Sequence, residues 1–549
     1  MIIVQEIPYT GINGSFKNSD EQLMIDTLKF SLEKLPLPDT SYFSPVFLDY
    51  LDQNPKLNEF AGVYPAPEAF KELIENRNFP IENRDTLVQV LKEQYAGLEL
   101  SEKLIQNISA LKSPNSFTVT TGHQLNIFTG PLYFIYKIIS AINACKILAE
   151  EYPEYQFIPV YWMASEDHDF AEINHFNLFG KQYRWHSDQK GAVGRFNPQG
   201  ISEILDDLRE CPEIFEDAYR NSETLAAATT KIVNHLFGDQ GLVVIDPDHT
   251  ELKRLFAPIL KDELVNQNTF QQVKHSSEAL QAHGYKTLVT PREINLFYLQ
   301  DGLRERIVEQ GDRYEVLETG KSFSESEILK EVDEFPERFS PNVVLRTLYQ
   351  ETILPNLAYI GGPGELSYWL QFKSSFDHFN LPFPALMPRN NVLVVNRVNT
   401  KKKEKLGLSI EDLFLDPQDL KSLFVERNAT AAIDLASEKQ AISTTFDKIL
   451  KKIKAIDGSL AGYIKAEENK ALKNLDQIEK RLIKAEERNQ ETALNQVLGL
   501  KEKLFPEGNL QEREQNFLNF YINNQAFLDE LRSLLDPFDF NFQVILENE

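Results

Sequence analysis

Residues 117–175 read FTVTTGHQLNIFTGPLYFIYKIISAINACKILAEEYPEYQFIPVYWMASEDHDFAEINH. Phe117 and Val119 begin an apolar, β-branched run that breaks at Thr121-Gly122-His123-Gln124. The small-residue turn Thr129-Gly130-Pro131 then opens a long helical stretch. A second apolar run, Phe157 to Trp162, ends in the polar cluster Ser165, Glu166, Asp167, His168, Asp169, Glu172, Asn174 and His175. This is strand, loop, helix, strand. The second strand is nearly continuous in apolar residues, as a strand covered on both faces of a parallel sheet must be. Open α/β sheets bind ligands beyond the carboxyl ends of their strands, so the polar residues at these two strand ends are the first candidates for chemistry.

Outward from this stretch the pattern recurs. Within Phe339 to Pro388, a strand at Asn356 to Ile360 gives way to Gly361-Gly362-Pro363-Gly364-Glu365 and a helix, and a strand at 392–396 follows. Gly241-Leu-Val-Val-Ile-Asp246-Pro247 is another strand ending in an acidic turn, between a helix at Leu225 to Leu236 and one starting near Glu251. Thr287 to Val289 and Asn295 to Leu299, before the turn at Gly302, read as β-structure in a small inserted subdomain. Residues 1–115 read as a short first strand followed mostly by helix, with Leu87, Val90, Leu91, Tyr95 and Leu98 forming a helical stripe. From Gly191 to about Ser222 the chain is acidic and polar.

Residues 436–505 change character. Phe446, Ile449, Ile453, Ile456 and Leu460 keep three- and four-residue spacing, and after an offset Ile464, Ala471, Leu475, Ile478, Leu482 and Ala485 resume it. The step from Leu460 to Ile464 reads as a four-residue stutter. Interleaved Lys and Glu complete the signature of an antiparallel or dimeric coiled coil. The expected domains are a core over 1–435 with insertions at about 181–230 and 265–335, the coiled coil over 436–505, and a segment over 506–549 that returns to the core.

Length and charge bound the function. A chain of 549 residues divides into roughly two to four domains. Its 57 Lys+Arg against 83 Asp+Glu give a net charge of −26, which disfavours general binding to nucleic acid or anionic membrane. Cations for a phosphate or carboxylate must therefore be concentrated locally. Two cysteines, Cys145 and Cys211, exclude a disulfide framework and fit a reducing compartment. The N-terminus lacks a signal-peptide pattern, and no run approaches the roughly 18 apolar residues of a membrane helix. A cytoplasmic protein is expected, with no nucleic-acid or membrane partner.

Small residues at Gly122, Thr129 and Gly130 let backbone N–H groups approach an anion at a helix start, although a tight turn accounts for the same spacing. Gly361, Gly362 and Gly364 with Glu365 read as a ligand loop, or as a turn whose Glu365 partners the helix dipole. Gly320-Lys321-Ser322 is not a P-loop, because Glu315 stands where the motif needs glycine. Lys137, Arg346 and Arg389 lie near the two glycine turns and are the cations positioned to neutralise a phosphate or carboxylate. Three readings of the 166–175 cluster stay open: a metal set from Asp167, His168, Asp169, Glu172 or His175; a seat for hydroxyls or an amine with His168 as acid/base; or an acidic first helical turn. No H-E-x-x-H or Cys/His spacing supports a tight metal site, and no metal is assigned.

TGHQLNIFTGPLYFIYKI, PVYWMASEDHDFAEINH, FSPNVVLRTLYQETILPNLAYIGGPGELSYWLQF and the later LFPEGNLQERE together resemble the bacillithiol-biosynthesis cysteine-adding family, the cysteine ligases of that pathway. The resemblance spans essentially the whole chain, with His123 where the family pattern often carries Gln. It implies an α/β fold: a Rossmann-like parallel-sheet core resembling class I aminoacyl-tRNA synthetases, with inserted connecting segments and an α-helical coiled-coil domain that mediates homodimerisation. It also implies a ligase that joins the carboxyl group of L-cysteine to the amine of glucosaminyl-malate. Making an amide from a free carboxylate is uphill in water, so ATP or another activating nucleotide is expected. Under this chemistry His168, Asp167 and Asp169 are the candidate catalytic residues. Thr121, Gly122, His123, Gln124, Thr129, Gly130, Lys137, Glu166, Asn174, Arg346, Gly361, Gly362, Gly364, Glu365 and Arg389 are the candidate binding residues. Two other functions remain in play: a coiled-coil scaffold or binding protein with a degenerate nucleotide pocket, and a metal-dependent hydrolase at the 166–175 cluster.

Overall fold

Strand β1 (Ser116–His123) is buried at all 8 positions, and its three inward threonines show how a polar strand is tolerated there. Thr118 and Thr120 donate to the Asn356 carbonyl oxygen (3.1 and 2.8 Å), and Thr121 donates to the Ile360 carbonyl (2.8 Å). Each buried hydroxyl is thus satisfied by the neighbouring strand, which removes the desolvation cost and fixes which strand lies beside β1. The computed structural model describes residues 29–429 and 434–548, so the short strand expected near the N-terminus lies outside the described residues.

The sheet has five strands in the order β5-β4-β1-β2-β3, where β2 is Gln156–Met163, β3 Val243–Ile245, β4 Asn356–Gly361 and β5 Ala385–Pro388, and every pairing is parallel. Helix α1 (Tyr133–Glu151) covers one face, burying Ala141, Ala144, Cys145 and Leu148 against Phe117, Val119, Phe157 and Ile360. It is apolar on nearly every side from Phe134 to Cys145, as an interior helix must be. On the other face α2 (Thr250–Asn266) and α3 (Leu345–Ile353) meet β2, with the Tyr349 ring 5.4 Å from Trp162 and 5.0 Å from Phe256. The chain winds outward from β1 through β2 to β3, then crosses back to lay β4 and β5 on the opposite side. The strand order therefore reverses between β1 and β4, which is where a doubly wound sheet leaves a crevice.

The turn between β1 and α1 is held against its backbone preference. Phe128 and Thr129 have positive φ (52° and 69°), and Gly130 follows at φ 64°. The Phe128 ring is stacked between Phe176 and Phe215 (4.5 and 5.1 Å), and its N–H donates to the Tyr219 hydroxyl (2.7 Å). Asn516 then donates to the carbonyls of both Phe128 and Gly130 (2.7 and 2.6 Å). A Cβ at Gly130 would lie 2.5 Å from that of Asn126, so this position excludes every side chain.

A five-stranded antiparallel sheet follows α2. Its order is Lys321–Ser324, Arg313–Val316, Leu303–Gln310, Leu296–Gln300 and Phe339–Pro341. The strand expected from Asn295 and the turn at Gly302 are present. Thr287 to Val289 is not a strand: Leu288 and Val289 donate their N–H groups to the Gln371 side chain instead (both 3.0 Å). The Gly320 glycine belongs to the turn before Lys321–Ser324.

The chain divides into two compact units, one of Leu32–Leu393 with Gln511–Ile545 and the other centred on Val394–Leu510. In the second, α5 (Ala436–Lys454) and α6 (Ala461–Asn489) pack on each other as an antiparallel hairpin, followed by α7 (Glu491–Leu504). Lys439 pairs with Asp476 and Glu479 (both 2.8 Å), and Ser443 donates to Glu468 (2.5 Å). The offset between Leu460 and Ile464 is thus not a stutter in one helix. It is the point where the chain reverses, with Asp457 accepting from the Ser459 N–H. Ile456 and Leu460, at the reversal, are exposed. No helix among the described residues is long and apolar enough to cross a membrane.

Asn516→Ala leaves two buried carbonyls without donors and should lower stability by about 2–4 kcal/mol. A thermal or urea midpoint equal to that of the unsubstituted protein would show that the Phe128–Gly130 turn does not need this brace.

Candidate active site

The crevice between β1 and β4 is crossed by an ion pair. Lys137, one turn into α1 and only 3% exposed, donates from Nζ to the Gly122 carbonyl (2.7 Å) and to Glu365 Oε2 (2.5 Å). Glu365 lies in the first turn of α4 (Pro363–Trp369), the helix that follows β4. Its carboxylate also accepts from the Gly362 N–H (2.8 Å) and the Tyr359 hydroxyl (3.0 Å). Burial lowers the Lys137 pKa against the pull of Glu365. Burial alone would raise that of Glu365, but Lys137, the Gly362 N–H and Arg346 hold it below the ordinary range. The expected ligand loop therefore spends its free backbone N–H on its own glutamate rather than on an outside anion.

Above this pair a cavity of about 410 Å³ opens at the carboxyl ends of the strands. Of the residues expected from the sequence, Gly122, His123, Gln124, Lys137, Glu166, Asp167, Arg346, Gly362, Gly364, Glu365 and Arg389 line it. Thr121, Thr129, Gly130, His168, Asp169, Asn174 and Gly361 do not. Thr121 is a strand-to-strand link, and Gly361 packs so that a Cβ would meet Leu366 at 2.8 Å. Asp169 accepts from the Glu172 N–H (3.2 Å) as the cap of a short helix, Phe170–Ile173. Asn174 faces His175 and Arg184. Gly130 and Thr129 belong to the braced turn rather than to an anion seat beside Gly122. Gly122 itself is small because a Cβ would lie 3.0 Å from the Tyr359 hydroxyl and 3.1 Å from Arg346.

The 166–169 cluster fans out. Glu166 is buried and pairs with the fully buried Lys253, which also donates to the Phe339 carbonyl (2.6 Å). Asp167 accepts from Gln124 (2.6 Å), the His168 N–H (2.7 Å) and Arg304 (3.3 Å). Burial opposes ionisation of Asp167, but His168, Arg304 and Gln124 outweigh it and hold its pKa well below the usual range. His168 is half-exposed beside the cavity, and Arg304 Nη1 contacts its Nδ1 at 2.5 Å. Among the described residues no three His, Cys, Asp or Glu side chains converge as a metal set, because each of these carboxylates is turned to a different partner.

His123 is a buried imidazole between the rings of Tyr133 and Phe134 (5.2 and 4.9 Å), its Nε2 without a partner among the described residues. Burial, Lys137 and Arg389 push its pKa well down, so it is neutral at physiological pH.

Several lining residues carried no signal as isolated positions. Arg304 reaches in from the antiparallel sheet, stacked 4.0 Å from the Phe297 ring and bonded to Ser340 and the Pro341 carbonyl. Tyr133, Tyr359 and Tyr368 line the wall. Arg513 comes from the C-terminal segment, inside the LQERE stretch. Its neighbour Glu512, fully buried, takes both terminal nitrogens of Arg389 (2.9 and 2.6 Å). The cation expected at Arg389 is thus already neutralised.

The balance of pairs leaves two cations, Arg346 and Arg513, and one carboxylate, Glu172, over. Lys137 is matched by Glu365, Arg304 by Asp167 and Arg389 by Glu512. Arg346 donates to the Tyr359 hydroxyl (2.8 Å) and lies over the Tyr359 and Trp369 rings (5.1 and 5.7 Å). Neither Arg346 nor Arg513 has a carboxylate within ion-pair distance among the described residues. In a chain of net charge −26, two guanidinium groups without a paired carboxylate in one cavity are a set chemically able to meet a carboxylate or phosphate.

A doubly wound parallel sheet with a charged cavity at its switch point defines a Rossmann-like core. Two family models match the chain: the N-terminal Rossmann-like domain of bacillithiol biosynthesis BshC over residues 30–390, and the C-terminal coiled-coil domain of the same family over 392–547. Proteins named "Putative cysteine ligase BshC" from Cytophaga hutchinsonii and Flavobacterium johnsoniae are 46% and 44% identical to it. These alignments cover 94% and 92% of this chain and 99% and 98% of theirs. One from Chlorobaculum tepidum is 30% identical over 86% of this chain and 90% of its own. The chain belongs to the BshC family of bacillithiol biosynthesis, and it is an enzyme of the ligase class.

Burial raises the Glu166 pKa from 4.5 to about 7 against the pull of Lys253. Between those values the unfolded chain has released the proton that the folded protein keeps, so this group makes stability fall as pH rises. Glu166→Gln should flatten the slope by up to about 1.4 kcal/mol per pH unit. Urea unfolding followed across that interval checks it, and an unchanged slope contradicts it.

Proposed function

We propose that the enzyme forms an amide between the carboxyl group of L-cysteine and the amine of glucosaminyl-malate, the final step to bacillithiol. The observation that carries this reading is the pair of uncommitted arginines, Arg346 and Arg513, in a polar cavity at the switch point of the sheet. Both substrates bring carboxylates, and a guanidinium meets a carboxylate with two parallel hydrogen bonds. The names of the relatives supply the cysteine, and the family supplies the pathway.

The carboxylate must be activated before an amine can displace its oxygen. ATP or another nucleotide is the co-substrate that chemistry calls for, and the same two arginines are the groups able to meet its phosphates. The attacking amine must be neutral, so a proton acceptor has to face it. Asp167, Glu365 and Glu166 each hold a cation and are committed. Glu172 remains, its carboxylate contacting only Gln124 at 3.5 Å. Burial, then Asp167, Asp169 and Glu365, raise its pKa, which makes it a better base near neutral pH than an ordinary carboxylate. We assign it the role expected of His168, whose ring stands outside the cavity with Nδ1 against Arg304.

Purified protein incubated with L-cysteine, glucosaminyl-malate and a panel of nucleotides should yield, by mass spectrometry, the mass of both substrates less one water. Folded protein that gives no product with any nucleotide overturns the reading. Glu172→Gln should slow product formation by about 10²-fold or more at unchanged melting temperature, and a fully active Glu172→Gln protein removes it from the role of base.

A further inference from the structure

A second cavity, of about 300 Å³, adjoins the first. Tyr133, Glu172 and Arg513 line both and form the partition between them. The rest of its wall comes from the braced turn before α1, from the hairpin His175–Leu178 with Lys181–Arg184, and from the C-terminal segment. The chemistry of the two cavities differs. The first is dense in charge. The second has charge at its rim, from the shared Glu172 and Arg513 and from Glu514, and between them neutral groups with spare hydrogen-bonding capacity.

Three side chains show this. Asn177 spends its amide nitrogen on the Glu514 carbonyl (3.1 Å), which leaves its carbonyl oxygen as an acceptor. Gln182 accepts from Arg184 (3.0 Å), which leaves its amide N–H groups as donors. His175 has Nδ1 against the Asn174 side-chain oxygen (3.1 Å), and a neutral imidazole offers one donor and one acceptor nitrogen. Burial and Arg184 lower the His175 pKa, which keeps the ring neutral. A mixed set of neutral donors and acceptors matches hydroxyl groups, each of which both gives and takes a hydrogen bond. Away from the shared Arg513, no cation among the described residues lines this cavity to meet a second carboxylate or phosphate.

From this arrangement we infer that the two cavities are halves of one site: the hydroxylated ring of the acceptor substrate sits in the second, against Asn177, Gln182 and His175, and its amine is presented past Glu172 into the first. The inference rests on the reading proposed above, and it adds a place for the sugar that the charged cavity does not supply. It also gives a reason for the position of Glu172 in the partition, where the base must face an amine that arrives from one side and a carboxyl held on the other.

Gln182 is exposed on the second strand of the hairpin, so Gln182→Trp fills the second cavity without entering the core. Titration calorimetry with glucosaminyl-malate and with malate alone, on the unsubstituted protein and on Gln182→Trp, tests the inference. The expected result is a tenfold or greater loss of affinity for glucosaminyl-malate with malate binding retained. Retained malate binding also shows that the variant is folded. Gln182→Leu, which adds no bulk but removes the donor, should weaken glucosaminyl-malate in the same direction. Unchanged affinity for glucosaminyl-malate in both variants overturns the inference and leaves the proposed reaction standing. No binding of glucosaminyl-malate to the unsubstituted protein overturns both.

Discussion

Lys137 and Glu365 meet across the one place in the sheet where the strand order reverses. A buried ammonium group costs several kcal/mol unless a charge and further acceptors meet it. Here Glu365 Oε2 and the Gly122 carbonyl both do. The pair therefore ties the helix after β1 to the helix after β4, and it sets the floor of the cavity at a fixed width. Glu365 is held in turn by the Gly362 N–H and by Tyr359, whose hydroxyl also receives Arg346. One chain of contacts runs from the backbone of β1 to the Arg346 guanidinium group, which no carboxylate among the described residues pairs.

The same constraint orders the remaining charges. Once Lys137, Arg304 and Arg389 are each matched by a carboxylate, they act as structure, and two arginines and Glu172 are the charges left unmatched in the cavity. The C-terminal segment does three jobs a few residues apart. Glu512 neutralises Arg389 and accepts from the Val392 N–H (3.0 Å), while Arg513 reaches the cavity and Asn516 braces the turn before α1. Residues far apart in sequence thus finish a site that the parallel strands begin. The partition of Tyr133, Glu172 and Arg513 follows from that convergence.

The parallel core was legible in the sequence because its signals are local. Continuous apolar runs at Phe117 and Phe157, and a glycine turn after Asn356 to Ile360, are properties of neighbours in the chain, and the strands lie close to where these place them. The site was legible only in part. The small residues at Gly122 and Gly361 were visible, but their reason was not. Each leaves room for a side chain from elsewhere, Tyr359 and Arg346 at one and Leu366 at the other, where sequence spacing points to a backbone cradle for an anion. His168 stood out because an imidazole among carboxylates has an evident chemistry, yet Arg304, supplied by a strand over a hundred residues later, takes one of its nitrogens. Arg513 carries no pattern of its own; LQERE was visible as a shared motif without a role, and Glu172 stood in the polar cluster only as a possible metal ligand. The coiled-coil period was read correctly, but a period does not reveal a reversal, so the turn at Asp457 to Leu460 looked like a stutter.

A crystal structure of the protein with malate tests the central claim most directly, since malate is a dicarboxylate small enough to enter the cavity without activation or reaction. The account predicts a carboxylate of malate hydrogen-bonded to Arg346 at the carboxyl ends of β1 and β4, with the Lys137–Glu365 pair intact beneath it. Malate bound elsewhere, with Arg346 still on Tyr359 and Gln350, would contradict it.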